Sequence, residues 1–187
     1  MAEVMSRTKA GEILLQGGVG ILPTDTVYGI VSRASDKDAV ARMYSLKNRE
    51  NKPGTLIAAS VEQLVELGIA AAALDSVADY WPNPLSIIVP TPASLAYLTQ
   101  DVGSIACRVP ADRVLLRLLE RTGPLITSSA NHPGKPVAET LREAQAYFDD
   151  EIDFYVDGGD LAGKAPSTIV KINDGIVEIV RQGAFHF

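Results

Sequence analysis

The chain has 187 residues, of which 47% are hydrophobic, 21% charged and 6% aromatic, with 15 Gly and 11 Pro. That length predicts one domain or at most two small ones, and the composition excludes disordered, collagen-like and low-complexity classes, which bury too little surface to offset chain entropy. Seventeen Lys and Arg against 23 Asp and Glu give a net charge of −6, which argues against broad nucleic-acid binding, because phosphate neutralisation needs clustered cations.

Met1 to Gln16 carries Glu3, Arg7, Lys9 and Glu12 and so lacks the apolar stretch of a signal peptide, and no later run approaches the ~18 apolar residues of a membrane span. The single cysteine, Cys107, excludes an internal disulfide framework. Together these predict a soluble, cytoplasmic protein. Periodicity predicts a helix over Arg7–Gln16, ended by Gly17-Gly18, then a short buried strand over Val19–Leu22 and a loop over Pro23–Gly29. Ser35 with Asp38 three residues on resembles a capping box and starts a helix to Lys47, with Val40, Met43, Tyr44 and Lys47 on one face. Thr55–Ala59 reads as a strand, Val61–Leu67 and Ala71–Trp81 as helices, and Leu85–Val89 as a strand. Ser104–Val109 is strand-like, Ala111–Arg121 is a helix with Val114, Leu115 and Leu118 inward, and Pro124–Ile126 leads into a polar loop, Thr127–Gly134. Thr140–Phe148 reads as a helix and Ile152–Val156 as a strand. Thr168–Ile172 and Ile176–Val180, joined by Asn173-Asp174-Gly175, form the clearest hairpin. Alternating strands and helices with an antiparallel hairpin predict a single α/β domain, residues 1–187, with a mixed sheet flanked by helices.

Gly158, Gly163 and Lys164 have the spacing of a phosphate-binding P-loop. Ala165 then stands where a magnesium-binding hydroxyl is needed, and Pro166 with a strand-like run stands where a helix is needed, so a glycine-rich turn is predicted. Cys107, in an apolar strand without a patterned histidine partner, is predicted to be a buried thiol, and His132 and His186 suggest no metal centre. Two polar clusters stand where predicted strands end. Thr24, Asp25, Thr26 and Tyr28 form one, and Thr127, Ser128, Ser129 and Asn131 the other. Each alone is ordinary turn chemistry, but ligands in open α/β sheets bind beyond the carboxyl ends of strands. Lys47 and Arg49 either cap a helix C-terminus or direct two cations into a cleft able to clamp a polyphosphate. Arg108, inside an apolar run, needs an anion, either an acidic side chain or a bound carboxylate.

Pro23-Thr24-Asp25-Thr26-Val27-Tyr28-Gly29, Lys47-Asn48-Arg49, Cys107-Arg108-Val109-Pro110, Ser129-Ala130-Asn131, Asp157-Gly158-Gly159, Ser167-Thr168-Ile169-Val170 and Arg181-Gln182-Gly183 occur in this order. Over Gly11–Phe187 the chain thereby resembles the YrdC/TsaC family of threonylcarbamoyl-AMP synthases, in its short form without a further C-terminal domain. Against the family pattern, Glu50 stands where proline is frequent, the loop to Gly54 is about one residue shorter, and Pro82-Asn83-Pro84-Leu85-Ser86 replaces Pro-Gly-Pro-Leu-Thr.

The resemblance implies a YrdC-like twisted mixed sheet and a reaction of L-threonine, bicarbonate and ATP to threonylcarbamoyl-adenylate and pyrophosphate, which supplies position 37 of tRNA. It implies that Lys47, Arg49, Ser129, Asn131 and Arg181 hold the nucleotide, with Lys47 and Arg49 serving catalysis. It implies that Thr26, Arg108, Thr127 and Ser167 hold threonine. Magnesium would accompany ATP, with no organic cofactor and no protein metal site. Downstream tRNA threonylcarbamoyl-transferase proteins would accept the product, with weak or no direct nucleic-acid binding and no membrane. Relatives described as binding double-stranded RNA make a non-enzymatic RNA-binding module the alternative.

Overall fold

The computed structural model describes residues 2–75, 77–173 and 175–187. The chain opens with β1 (Glu3–Val4) and α1 (Arg7–Leu15), whose first turn is closed by Ser6 accepting from the Lys9 amide. The strands β2 (Gly20–Pro23) and β3 (Tyr28–Arg33) pair antiparallel across residues 24–27, and α2 (Lys37–Leu46) follows. Next come β4 (Thr55–Ile57), α3 (Val61–Leu67), α4 (Ala71–Asp75), β5 (Leu85–Pro90), α5 (Ala96–Thr99) and β6 (Ser104–Arg108). Then α6 (Arg113–Thr122) and β7 (Leu125–Ser129) lead to α7 (Leu141–Phe148), which begins in a reciprocal capping box between Thr140 and Glu143. Finally β8 (Phe154–Tyr155) precedes the hairpin of β9 (Thr168–Asn173) and β10 (Ile176–Arg181).

Among the described residues one ten-stranded mixed sheet runs β1-β8-β2-β3-β7-β4-β6-β5-β9-β10. Successive strand residues face opposite sides, and the two sides have different covers. Ile21, Ile30, Leu56, Ile87, Cys107 and Ile126 join a large core with Val40, Met43 and Tyr44 of α2, Leu64 of α3, Leu98 of α5 and Phe148 of α7. Leu22, Val31, Ile57 and Leu125 point the other way and join Ala10 and Leu14 of α1 with Leu115, Leu118 and Leu119 of α6. The strand registers carry this second face onward: Ile57 pairs with Arg108, Thr55 with Ala106, Ala106 with Ile88, and Ile88 with Lys171. There α1 and α6 no longer cover it, and the bare strip is the floor of the site.

Several expected elements need correction. Tyr28–Arg33 is a strand that the sequence reading passed over. Its side chains are buried on both faces up to Ser32, so it has no alternation to detect. Thr127, Ser128 and Ser129 are strand residues of β7 rather than loop. The N-cap of α2 is Asp36, whose carboxylate accepts from the Ala39 amide at 3.0 Å, not Ser35. The helix expected over Ala71–Trp81 stops at Asp75, and Val77, Tyr80 and Trp81 donate three residues back, tightening the segment into short turns around Ala78–Tyr80. Residue 76 lies outside the described residues. In α6 the inward residues are Leu115, Leu118, Leu119 and Thr122, while Val114 is exposed. The predicted hairpin is present, although Asp174 of its connection lies outside the described residues.

Candidate active site

On the bare strip lies a cavity of about 370 Å³, lined by Thr24, Thr26, Arg49, Arg108, Thr127, Ser128, Ser129, Ser167, Lys171 and Arg181 around an apolar floor of Ala106, Ile88 and Ile169. Because the floor consists of residues from within β6, β5 and β9, the site sits on a sheet face, not beyond the carboxyl ends of strands as the sequence suggested. Gly29 of β3 brings the chain in close. A Cβ there would stand 2.5 Å from the Thr127 hydroxyl and 3.1 Å from the Thr24 methyl.

The segment between β2 and β3 is a turn held by its own hydroxyls: Thr24 Oγ1 donates to the Val27 carbonyl at 2.7 Å and accepts from the Thr26 amide at 3.2 Å. This rigid turn carries Asp25 under Arg108. Asp25 Oδ1 accepts from Arg108 Nη2 at 2.9 Å, with the two side chains only 5% and 3% exposed. Of the two anions the sequence allowed for Arg108, the acidic side chain is therefore present. Arg108 Nη1 also donates to Ser86 Oγ at 3.0 Å, and Ser86 Oγ in turn donates to Ser167 Oγ at 2.9 Å. Arg181 Nη2 reaches the Ser167 carbonyl at 2.7 Å and hydroxyl at 3.3 Å. One hydrogen-bonded chain thus runs Asp25, Arg108, Ser86, Ser167, Arg181 along the cavity. Two buried atoms in it, Arg108 Nε and Asp25 Oδ2, lack partners among the described residues.

At the other wall, Arg49 Nη1 donates to Ser128 Oγ at 2.8 Å and Nη2 to the Pro53 carbonyl at 2.9 Å, while Nε meets the Lys52 carbonyl. Burial lowers the proton affinity of both Arg49 and Arg181, and for Arg181 the neighbouring Arg108 and Arg49 charges lower it further. Three guanidiniums converging on one cavity make a site that favours an anion.

Lys47 takes a different position from the one expected. It is 3% exposed at the C-cap of α2, and its ammonium donates to the carbonyls of Ser129 and Asn131 and to Asn131 Oδ1. Asn131 Oδ1 also accepts from Ser129 Oγ at 2.7 Å. Lys47 and Asn131 therefore stand behind the cavity and fix Ser129, whereas Thr26, Arg49, Arg108, Thr127, Ser129, Ser167 and Arg181 line it directly. Burial, then the Arg49 charge, brings the Lys47 ammonium down to about 8. Sequence reasoning assigned no role to Ser86 or Lys171 and did not pair Asp25 with Arg108. The Pro82–Ser86 departure marked Ser86, and Asp25 stood in the first polar cluster.

The remaining motifs have structural roles. Gly158 N donates to the Tyr28 hydroxyl at 2.8 Å, which donates to the Gly159 carbonyl at 2.9 Å, so Gly158 and Gly159 dock on β3, while Gly163 N donates to Glu139 Oε1 at 3.4 Å. Cys107 faces the core, and burial pushes its thiol well above the ordinary range. His132 packs edge-on against Tyr147.

Residues 12–183 match the family model Sua5_yciO_yrdC, described as telomere recombination. The chain belongs to the Sua5/YciO/YrdC family. This Sua5/YciO/YrdC chain is 34% identical over 166 residues to the threonylcarbamoyl-AMP synthase of Pseudomonas aeruginosa, covering 87% of the present chain and 89% of that one. It is 33% identical over 177 residues to the threonylcarbamoyl-AMP synthase of Stutzerimonas stutzeri, covering 92% and 95%. Among solved structures, P. abyssi Sua5 complexed with L-threonine superposes with a TM-score of 0.82 at 27% identity, over 98% of this Sua5/YciO/YrdC chain but only 56% of the P. abyssi chain. It therefore spans little more than half of that Sua5 chain.

Proposed function

We propose that this protein is a threonylcarbamoyl-AMP synthase, which joins L-threonine, bicarbonate and ATP into threonylcarbamoyl-adenylate and pyrophosphate for modification of tRNA at position 37. The observation that carries the reading is the convergence of Arg49, Arg108 and Arg181 on one hydroxyl-lined cavity. The names of the Pseudomonas and Stutzerimonas relatives and the threonine complex of Sua5 support it. The threonine amine nitrogen bonds to the bicarbonate carbon while one carbon–oxygen bond of bicarbonate breaks and that oxygen leaves as water, giving a carbamate. A carbamate oxygen bonds to the α-phosphorus while the bond from that phosphorus to the α,β-bridging oxygen breaks, and its electron pair leaves on pyrophosphate. No protein nucleophile is needed; the protein's work is positioning and charge stabilisation. Thr26, Arg108, Thr127 and Ser167 are proposed to hold threonine, with its carboxylate facing Arg108. Arg49, Ser129 and Arg181 are proposed to hold the nucleotide, with Lys47 and Asn131 fixing Ser129 from behind.

Magnesium is proposed to enter with the substrate as MgATP, where it neutralises phosphate charge; among the described residues no group of three or more His, Cys, Asp or Glu could hold a metal ion. Among those residues no helix is long and apolar enough to cross a membrane. A cytoplasmic location and transfer of the adenylate's threonylcarbamoyl group by downstream proteins acting on tRNA complete the proposal. The test is incubation of pure protein with ATP, bicarbonate and labelled threonine. Threonine-dependent pyrophosphate with labelled adenylate is expected, and pyrophosphate release indifferent to threonine would overturn the assignment.

A further inference from the structure

Lys171 of β9 is a cation in the cavity wall to which no role has been given. It lines the same cavity as Arg49, its side chain is exposed, and among the described residues nothing pairs with its ammonium. Glu178, its cross-strand neighbour on β10, forms no ion pair with it. The registers place Lys171 at the end of the row Thr55, Ala106, Ile88, Lys171. Three strand spacings, about 14 Å, separate Thr55 from Lys171. Arg49, held by Ser128 of β7, and Lys171 of β9 are long cationic side chains on either side of this width, over the apolar Ala106 and Ile88. Resting on the proposed function, we propose that Lys171 binds the β- and γ-phosphoryl end of ATP and then the departing pyrophosphate, whose charge grows as the α-phosphorus bond to the bridging oxygen breaks.

A mobile ammonium at an exposed rim suits the terminal phosphates, since it acts as a point charge that can follow a leaving group. Bicarbonate fits the position less well. It must meet the threonine amine, proposed to lie at the Arg108 and Ser167 end, in the neighbouring row of the sheet face formed by Arg108, Ser86 and Ile169.

The experiment is calorimetric titration of wild type, Lys171→Ala and Lys171→Arg with pyrophosphate, ATP, AMP and threonine, with steady-state rates at varied bicarbonate. Lys171→Ala should lose roughly ten-fold or more in affinity for pyrophosphate and ATP, the usual value of a hydrogen bond to a charged group. AMP and threonine affinity and the KM for bicarbonate should stay unchanged, and Lys171→Arg should recover part of the pyrophosphate affinity. Unchanged pyrophosphate binding in Lys171→Ala overturns the proposal. So does an equal loss for AMP and threonine, which would mean a structural role, and so does a raised KM for bicarbonate at unaltered pyrophosphate affinity. If wild type makes no adenylate, the proposed function falls, while the pyrophosphate titration still decides whether Lys171 binds phosphate.

Discussion

A buried ammonium needs acceptors, and Lys47 finds three on Ser129 and Asn131. Removing it leaves part-buried acceptors without their donor, which costs up to about 1–3 kcal/mol, so Lys47→Ala should lower the melting temperature as well as the rate of adenylate formation. Arg49→Ala should cut turnover with a smaller change in melting temperature, because Arg49 is only partly buried and its proposed role is to place charge at phosphorus. Equal thermal losses in the two variants would contradict this division. The lowered proton affinity of Lys47 also has a sign. Between about 8 and the ordinary 10.5 the unfolded chain holds this proton more tightly than the folded one, so this group's contribution to stability rises with pH through that window. Activity should go the other way, with kcat/KM for ATP in the free enzyme falling above about pH 8 as the ammonium is lost; a profile flat to high pH would show that the charge is not required. For Arg108, Asp25 is the partner whose loss leaves a buried charge unpaired, so Asp25→Ala should destabilise by about 3–5 kcal/mol. Arg108→Lys should lose most threonine affinity and little ATP affinity, because an ammonium cannot reproduce a planar two-point contact. If the variant instead loses ATP and keeps threonine, Arg108 faces phosphate. The need of Arg108 for an anion was legible in the sequence, because an arginine in an apolar strand has few alternatives. Which anion serves it was not legible, because Asp25 lies 83 residues away.

Elements were legible where periodicity or turn chemistry is local and lost where burial is complete. The β9–β10 hairpin announced itself through its Asn-Asp-Gly connection, and α7 was legible as a helix over Thr140–Phe148, whose capping box between Thr140 and Glu143 the structure adds. By contrast β3 has no polar face and β7 ends in three hydroxyl residues, so one lacked alternation and the other resembled a loop. These two strands pair with each other, Gly29 opposite Ser129 and Val31 opposite Thr127, and set the depth of the cavity wall. Gly29→Ala should therefore drive the wall apart, costing about 1–3 kcal/mol by overpacking and lowering activity more than stability alone explains. Thermal unfolding with threonine titration checks this, and wild-type threonine affinity in the variant would refute it. Serine should be a poorer substrate than threonine by roughly ten- to two-hundred-fold, the value of one methyl group in a fitted pocket.

For the whole molecule, the net charge of −6 with cations gathered in one cavity predicts that double-stranded RNA binds weakly and is released by moderate salt. Tight binding at physiological salt, measured by filter retention, would contradict it. The motifs and the family were readable from the sequence, but the cavity was not, because its rows are made by register across strands that lie far apart along the chain. Lys47 meets Ser129 across 82 residues, Ser86 meets Ser167 across 81, and Asp25 meets Arg108 across 83. Chain segments of that separation are slow to close. The helices and the β9–β10 hairpin can form early from neighbours in sequence, whereas the substrate cavity exists only once the middle of the sheet has zipped. Affinity for ATP should therefore be among the last properties to return during refolding, after helical signal has recovered, and an amino acid or nucleotide bound there clamps both ends of the chain at once.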